Sequence, residues 1–191
     1  CPFRFYADRV LGLRRLRPVL DEGTRATEVG SAVHEVLEHL SEMNSETLIT
    51  AAVNRHRLND MGAARLRAAI ASFNASDFVC RLREADTVAR EARIAVSLGE
   101  TDLVGSIDAV AWEGDRALVI DYKTGENQQL SRSAERMEHY LLQAQCYAIA
   151  AFAAGAQSVE ADFVFLEQGA QSVSFDFQRT QEGELRASIE R

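Results

Sequence analysis

The segment over residues 117–125, ALVIDYKTG, constrains the fold of this chain most, because an apolar run ends there in two opposite charges. The apolar residues 118–120 predict a central strand that is covered on both faces. Alternate side chains of a strand share a face, so we expect Asp121 and Lys123 to point to one side and Tyr122 to the other. The pattern predicts a carboxylate and an ammonium delivered together, although a solvated strand end can carry the same charges.

The preceding residues 103–112, LVGSIDAVAW, predict a second strand, and the three residues after them have the length and composition of a hairpin turn. We therefore expect two antiparallel neighbours. Asp108 is expected to share its face with Val104 and Val110, which would bury its carboxylate. A buried anion without a partner costs several kcal/mol, and a bound cation can offset that cost. We predict that Asp108 and Asp121 share one divalent cation.

The remaining hydrophobic periodicity predicts helices on both sides of this hairpin and further strands. Helices are predicted over residues 3–13, 29–43, 46–61, 63–76, 78–82 and 134–154. Strands are predicted over residues 91–98, 159–166 and 171–177, and a last helix begins near residue 180. The fold class is therefore predicted as α/β, with residues 1–90 mainly helical, 91–178 forming the sheet core and 179–191 a truncated C-terminal segment.

The length of 191 residues and the hydrophobic content of 47% are most simply those of one domain, residues 1–191. No apolar run is as long as the roughly 18 residues that a membrane span needs, so we expect no membrane partner. The three cysteines, Cys1, Cys80 and Cys146, form neither a disulfide framework nor a zinc motif, which favours a reducing cytoplasm. Because the chain opens without Met, we interpret it as a piece of a longer protein.

The net charge of −8 argues against a large nucleic-acid footprint, because phosphate binding normally draws on clustered Lys and Arg. The distribution is uneven, however, since the first 20 residues contain five arginines and one acidic residue. Acidic metal ligands would themselves make the total more negative. Four arginines on predicted helices could contact phosphates or lie on a solvated face: Arg55, Arg57, Arg65 and Arg67.

The helix predicted over residues 29–43 places His34 beside its apolar stripe, one turn after Gly30. The small Gly30 leaves room for another element on that face. A histidine in this position can be a metal ligand or a packed side chain. We interpret the other three histidines as surface residues: His39, His56 and His139.

Three further polar residues each have two interpretations. Gln143 and Tyr147 lie four apart on the longest predicted helix, so they share a face. They can hydrogen-bond a phosphate or hold a water, or they can cap a sheet edge. Glu91 stands at the entrance of its strand, where it can be a further ligand or pair with an arginine.

An imidazole, two carboxylates and a backbone carbonyl beside Asp121 suit Mg²⁺ or Mn²⁺, which prefer oxygen ligands. Zinc suits the chain less, because no second His or Cys stands at ligand spacing. A divalent cation activates water and neutralises charge on a phosphodiester. Lys123 is placed to orient that water or to stabilise the phosphate in the transition state.

Four motifs in this order resemble the RecB-family branch of the PD-(D/E)XK nucleases: GSAVH over 30–34, GSID over 105–108, DYKTG over 121–125 and YLLQAQCY over 140–147. The opening CPFRFY with VLGL is similar to the entry of nuclease domains in bacterial helicase-nucleases such as AddA and AddB. The resemblance implies a restriction-endonuclease-like mixed sheet flanked by helices. It implies a metal held by His34, Asp108, Asp121 and the Tyr122 carbonyl, with Asp108, Asp121 and Lys123 catalytic and Gln143 and Tyr147 positioning DNA.

The resemblance further implies a Mg²⁺- or Mn²⁺-dependent deoxyribonuclease, an exonuclease that acts on single-stranded DNA or DNA ends in double-strand-break repair. DNA and a helicase domain or subunit would be its partners. Some relatives hold an iron–sulfur cluster, and Cys1 could be its first ligand, but no C-terminal cysteine group occurs here, so we expect none within this chain. The alternatives are a catalytically silent domain that binds DNA or another protein chain, and an enzyme for small phosphate esters.

Overall fold

The computed structural model of the chain describes residues 26–40, 44–99, 101–125 and 134–189. The helix predicted over 3–13, the arginine-rich first 20 residues and Cys1 lie outside these ranges. Four helices come first: α1 (Ala26–His39), α2 (Ser45–Arg55), α3 (Asp60–Asn74) and α4 (Asp77–Glu84). Then follow β1 (Thr87–Leu98), β2 (Thr101–Glu113), β3 (Arg116–Lys123), α5 (Ala134–Ala153), β4 (Ser158–Phe165), β5 (Gln171–Gln178) and α6 (Glu182–Ile189).

The five strands form one mixed sheet in the order β1-β2-β3-β4-β5. Neighbouring strands are antiparallel except for β3 and β4, which run parallel. A parallel pair needs a crossover connection, and α5 lies in the connection between these two strands. The predicted fold class, a mixed sheet flanked by helices with a helical N-terminal part, is confirmed.

Helices cover both faces of the sheet. One hydrophobic core joins α1 to α4 with alternate residues of the central strands, and Tyr122 belongs to it. The other core lies under α5 and α6 and contains Val119 and Phe163. Residues 117–122 of β3 are all buried, so the prediction of a central strand covered on both faces is confirmed.

The helix predicted over 46–61 is wrong at its end, because α2 stops at Arg55. Arg57 adopts a left-handed conformation with φ of 51°, which a continuing helix does not allow. The side chain of Asn59 then accepts a hydrogen bond from the Gly62 backbone N–H at 2.9 Å and caps the start of α3. Residues 56–59 therefore end one helix and begin the next.

Strands β2 and β3 separate part-way along the sheet. Their pairing ends at Ala109 and Ile120, whereas β2 continues along β1 and β3 continues along β4 to Lys123. A fork therefore opens in the middle of the sheet. Asp108 and Asp121 are the next residues on its two sides.

The alternation of side chains also breaks at this level. Ile107 and Val110 both enter the core beneath α5, although they lie three apart on one strand. Opposite them, Glu91 has a left-handed φ of 46°, and the pairing of β1 with β2 skips Glu91 and Asp108. A distortion of both strands thus turns these two carboxylates away from the regular pattern.

The expectation that Asp108 shares a buried face with Val104 and Val110 is therefore wrong. Val104 is 74% exposed, while Val110 is buried beneath α5. Asp108 instead reaches the His34 side chain on α1. Strand β2 is distorted at residue 108, so the alternation of side chains does not continue through it.

Two further predictions concern the whole chain. No helix among the described residues is both long enough and apolar enough to cross a membrane. Cys80 and Cys146, the cysteines within the described ranges, are both free thiols.

Candidate metal and catalytic site

The fork holds Asp108 by both of its carboxylate oxygens. Its Oδ1 lies 3.1 Å from Nδ1 of His34, and its Oδ2 accepts a hydrogen bond of 2.6 Å from the Tyr122 backbone N–H. This N–H belongs to β3 just beyond the last residue paired with β2. The carboxylate therefore satisfies a backbone donor that the separated strands leave without a ladder partner.

The approach of α1 to the end of β3 fixes the position of His34. One turn earlier, a Cβ on Gly30 would lie 2.8 Å from Oγ1 of Thr124, so a glycine is needed at this approach. The imidazole also meets the Tyr122 ring edge-on, with 6.1 Å between ring centroids. The expectation that Gly30 makes room for another element is thus confirmed.

The surroundings of His34 are strongly negative. Burial lowers the pKa of its imidazole, but the hydrogen bond to Asp108 and the charges of Asp108, Asp121 and Glu91 raise it more, so the pKa lies above its ordinary value. When Nδ1–H donates to Asp108, the other ring nitrogen keeps a lone pair. The groups around His34 therefore favour a positive charge there, whether a proton or a metal ion.

Glu91 completes a group of three possible ligands. His34, Glu91 and Asp108 each offer one ligand atom, and these three atoms lie within 4.8 Å of one another. Among the described residues, no other His, Cys, Asp or Glu side chains form such a group of three or more. Burial raises the pKa of Glu91, and the charges of Asp108 and Glu38 raise it further. The carboxylate of Glu91 thus lies beside His34 and Asp108, and its role as a ligand stays a prediction.

Asp121 lies on the other side of the fork and is 6% exposed. Its Oδ1 accepts hydrogen bonds from Nε2 of Gln143 at 2.9 Å and from the Tyr147 hydroxyl at 2.8 Å. Burial raises the pKa of Asp121, and this outweighs the lowering by Lys123, while Asp108 adds to the rise. A carboxylate that is costly to ionise in this way gains most from a cation nearby.

Lys123 points to the same side as Asp121, as predicted. Its Nζ lies 2.6 Å from Oδ2 of Asp121 and donates to Oε1 of Gln143 at 3.2 Å. The ammonium also lies 5.7 Å from the ring centroid of Tyr140 and 5.2 Å from that of Phe163, within cation–π range. These two buried rings stack on each other and form a floor beneath the lysine.

No role for this aromatic floor was predicted from the sequence. Tyr140 could have been found, because it precedes Gln143 by three residues and so shares its helix face. Phe163 gives no such signal, since its approach depends on the register of β3 against β4, which places it opposite Asp121.

The predicted site residues thus form one connected network around the fork. Hydrogen bonds and ion pairs join His34 to Asp108, Asp108 to β3, and Asp121 to Lys123, Gln143 and Tyr147. Their roles as ligands, catalytic groups or substrate contacts remain predictions.

The sequence matches the family described as the PD-(D/E)XK nuclease superfamily over residues 1–190. The chain belongs to this superfamily. The resemblance that the four motifs indicated is therefore confirmed.

Two individual proteins show how this superfamily member compares with others. It is 31% identical over 188 residues to an ATP-dependent helicase/nuclease subunit of Pelotomaculum thermopropionicum, in an alignment covering 86% of this chain and 14% of that protein. The chain thus spans about a seventh of that relative, 14% of its length. A crystal structure of a candidate exonuclease from Eubacterium rectale matches 98% of this chain and 70% of its own, with a TM-score of 0.57 and 10% identity. At that identity the second likeness shows the fold alone.

The other polar residues of this PD-(D/E)XK protein have structural partners or lie at the surface. His56 was predicted to be a surface residue, but it is partly buried. Its Nε2 lies 2.8 Å from Oε2 of Glu35, and its side chain is 20% exposed. His139 is exposed and His39 partly so. Three of the helical arginines form ion pairs: Arg55 with Glu35, Arg65 with Glu167 and Arg67 with Glu46.

Proposed function

We propose that this chain is a metal-dependent DNA nuclease that hydrolyses phosphodiester bonds of single-stranded DNA or DNA ends. One observation carries the proposal: the fork between β2 and β3 gathers an imidazole, carboxylates and an ammonium into one network. Membership of the PD-(D/E)XK nuclease superfamily supports it. The match to a helicase/nuclease protein supports action within a helicase-nuclease. We further propose that this enzyme processes double-strand breaks in the cytoplasm.

The donor set of the fork fits a divalent cation such as Mg²⁺ or Mn²⁺. His34, Asp108 and Glu91 would hold it, because their ligand atoms stand together. Asp121 lies outside that group, and we propose that it joins from the other side of the fork. A strand residue directs its N–H and its C=O to the same neighbour, so the Tyr122 carbonyl faces the fork as its N–H does. When bound, the cation supplies activation of water and neutralisation of charge on the phosphate.

The remaining side chains have roles in orienting the groups that react. Gln143 and Tyr147 hold Oδ1 of Asp121, which fixes the carboxylate against α5. Lys123 carries three N–H donors, and its ammonium can donate to a phosphate oxygen where negative charge develops. Gln143 contacts both Asp121 and Lys123, so it supports the ion pair that these two residues form directly.

The experiment compares Asp121→Asn with Asp176→Asn, an exposed aspartate on β5 that serves as a matched control. We expect Asp121→Asn to lower the Mg²⁺-dependent degradation of a labelled linear single strand by at least about 100-fold, because the neutral amide is a poor ligand. The control should degrade DNA at the wild-type rate. Near-wild-type activity of Asp121→Asn, with an unchanged melting temperature, would refute the proposal.

One observation favours a second candidate, a silent domain that only binds DNA or a partner protein. The Lys123 ammonium already occupies Oδ2 of Asp121 at 2.6 Å, which makes one ligand oxygen less available. Calorimetry with Mn²⁺ separates the candidates. Retained DNA affinity without saturable Mn²⁺ binding would favour the silent domain.

A further inference from the structure

Four exposed residues beside the candidate site form a surface on the β1–β2 hairpin, here called the hairpin strip. Arg93 pairs with Ser106, and Ala95 pairs with Val104. The opposite face of the hairpin packs into the core beneath α5 and α6 through Ile94 and Val96. One face of the hairpin is therefore fixed to the body of the molecule, whereas the hairpin strip is open.

The hairpin strip begins at the candidate metal group. Glu91 precedes Arg93 by two residues on β1, and Ser106, which pairs with Arg93, precedes Asp108 by two residues on β2. Ser106 and Val104 are neighbours on one face of β2, because Gly105 between them faces Ile94 on the opposite side of the hairpin. A chain molecule held at the metal group can continue along this surface.

Arg93 is distinguished by what it does not contact. Within the described ranges, most arginines bind a carboxylate or a backbone carbonyl, and only three do neither: Arg57, Arg83 and Arg93. Arg57 follows α2, and Arg83 lies near the end of α4. Arg93 is thus the unpaired arginine on the strand that carries Glu91, and its guanidinium is available to an anion.

We propose that Arg93 binds a phosphate of the substrate strand adjacent to the phosphate that reacts, and that Ala95 and Val104 support the neighbouring nucleotide. This inference rests on the proposed nuclease function and adds a substrate contact to it. Two residues along a strand advance about 7 Å, a step comparable to that between successive phosphates of an extended nucleic acid. An arginine binds such a phosphate through paired N–H donors.

The apolar part of the hairpin strip favours a single strand as the occupant. Val104 is 74% exposed, the largest exposed fraction among the large hydrophobic residues of the described chain. An unpaired base offers an apolar face to such a surface, whereas a duplex hides its bases in the stack. The one acid at the far end, Asp102, already accepts a hydrogen bond from Ser97 at 2.7 Å.

The first test measures steady-state cleavage of a labelled single-stranded oligonucleotide with Mg²⁺. We expect Arg93→Ala to raise KM roughly tenfold with kcat nearly unchanged, because one phosphate contact is lost away from the reacting bond. Arg93→Glu should raise KM further, and Arg93→Lys should recover part of the loss. Arg83→Ala, which removes an exposed and equally unpaired arginine, is the matched control and should leave KM unchanged.

The second test follows DNA binding by fluorescence anisotropy in the Asp121→Asn background, in which cleavage is suppressed. Arg93→Ala should reduce the slope of log Kd against log salt concentration by about 0.7, the value for one phosphate contact on a single strand. Val104→Asp should weaken binding through repulsion of the backbone. Calorimetry should give Arg93→Ala an unchanged Mn²⁺ affinity.

The outcomes separate this inference from the proposed function. If the wild type cleaves DNA but Arg93→Ala matches Arg83→Ala in both KM and salt slope, the inference is overturned while the nuclease function stands. It is also overturned if Arg93→Ala loses Mn²⁺ affinity, since Arg93 would then act through Glu91. If the wild type neither cleaves nor binds DNA, both proposals fall.

Discussion

At the scale of single residues, the fork brings two carboxylates close together and pairs each with a nitrogen-containing side chain. Burial raises the cost of ionising Asp121, and the negative charge of Asp108 adds to that cost. His34 on α1 pairs with Asp108, and Lys123 on β3 pairs with Asp121. The arrangement leaves negative charge concentrated between them, which is what a divalent cation requires.

The first residue-scale prediction concerns Glu91, whose carboxylate lies close to the ligand atoms of His34 and Asp108. Glu91→Gln should weaken Mn²⁺ binding roughly tenfold, because it removes one negative charge while keeping the size of the side chain. Isothermal titration calorimetry measures the change. Glu84→Gln, at an exposed position on α4, is the control. A Glu91→Gln protein that binds Mn²⁺ like the wild type would show that this carboxylate is not a ligand.

A second prediction concerns the ring of Tyr140 beneath Lys123. Tyr140→Leu should lower kcat about fivefold, the equivalent of roughly 1 kcal/mol, because the ammonium loses a cation–π contact that holds it in place. KM should change little. Tyr140→Phe keeps the ring and should behave like the wild type in the same steady-state assay. An equal loss in both variants would mean that the hydroxyl, and not the ring, is what matters.

At the scale of elements, the close approach of α1 to the end of β3 decides where His34 lies. Gly30 permits this approach, because a Cβ there would meet Oγ1 of Thr124 at 2.8 Å. Gly30→Ala gains helix propensity of about 1 kcal/mol, but the overlap costs about 1–3 kcal/mol, so we expect a net loss of stability. Chemical denaturation measures the free energy of unfolding.

Two variants control this prediction. Gly183→Ala, on α6, has open space around the added Cβ and should be stabilising. In a Thr124→Ala background, which removes Oγ1, Gly30→Ala should become neutral or stabilising. If Gly30→Ala is equally destabilising in both backgrounds, the contact with Thr124 does not explain the glycine.

The elements also show how far the sequence could determine the site. The hairpin turn and the apolar run of β3 were sufficient to place Asp108 beside Asp121, because both signals are local. The backbone distortion at Glu91 could not be predicted in this way, since nothing in the residues around it requires a φ of 46°. That distortion lies where β2 separates from β3, so it involves strands whose residues are far apart in the sequence. Phe163 was missed for a similar reason: it reaches the site through the parallel register of β4.

At the scale of the whole molecule, two carboxylates on β4 have opposite effects on stability. Glu160 forms a paired hydrogen bond with Arg81, at 3.0 and 2.7 Å, and these contacts lower its pKa. Asp162 is buried with a side chain only 1% exposed, and burial raises its pKa to about 6 in spite of the Ser174 hydroxyl and Arg81. Glu160 therefore favours the folded state when ionised, whereas Asp162 favours it when protonated.

This difference predicts how stability depends on pH. The pKa of Asp162 rises from 3.8 to about 6 on folding, so its contribution is fully present below about pH 4 and is lost as the pH rises through 6. The loss amounts to as much as about 3 kcal/mol, from roughly 2 units at 1.4 kcal/mol each. Asp162→Asn should flatten the curve of unfolding free energy between pH 4 and 7, measured by urea denaturation, whereas the exposed Asp176→Asn should keep its shape. A curve for Asp162→Asn that parallels the wild type would show that this carboxyl remains ionised in the folded protein, so that Arg81, 3.5 Å away, compensates its charge.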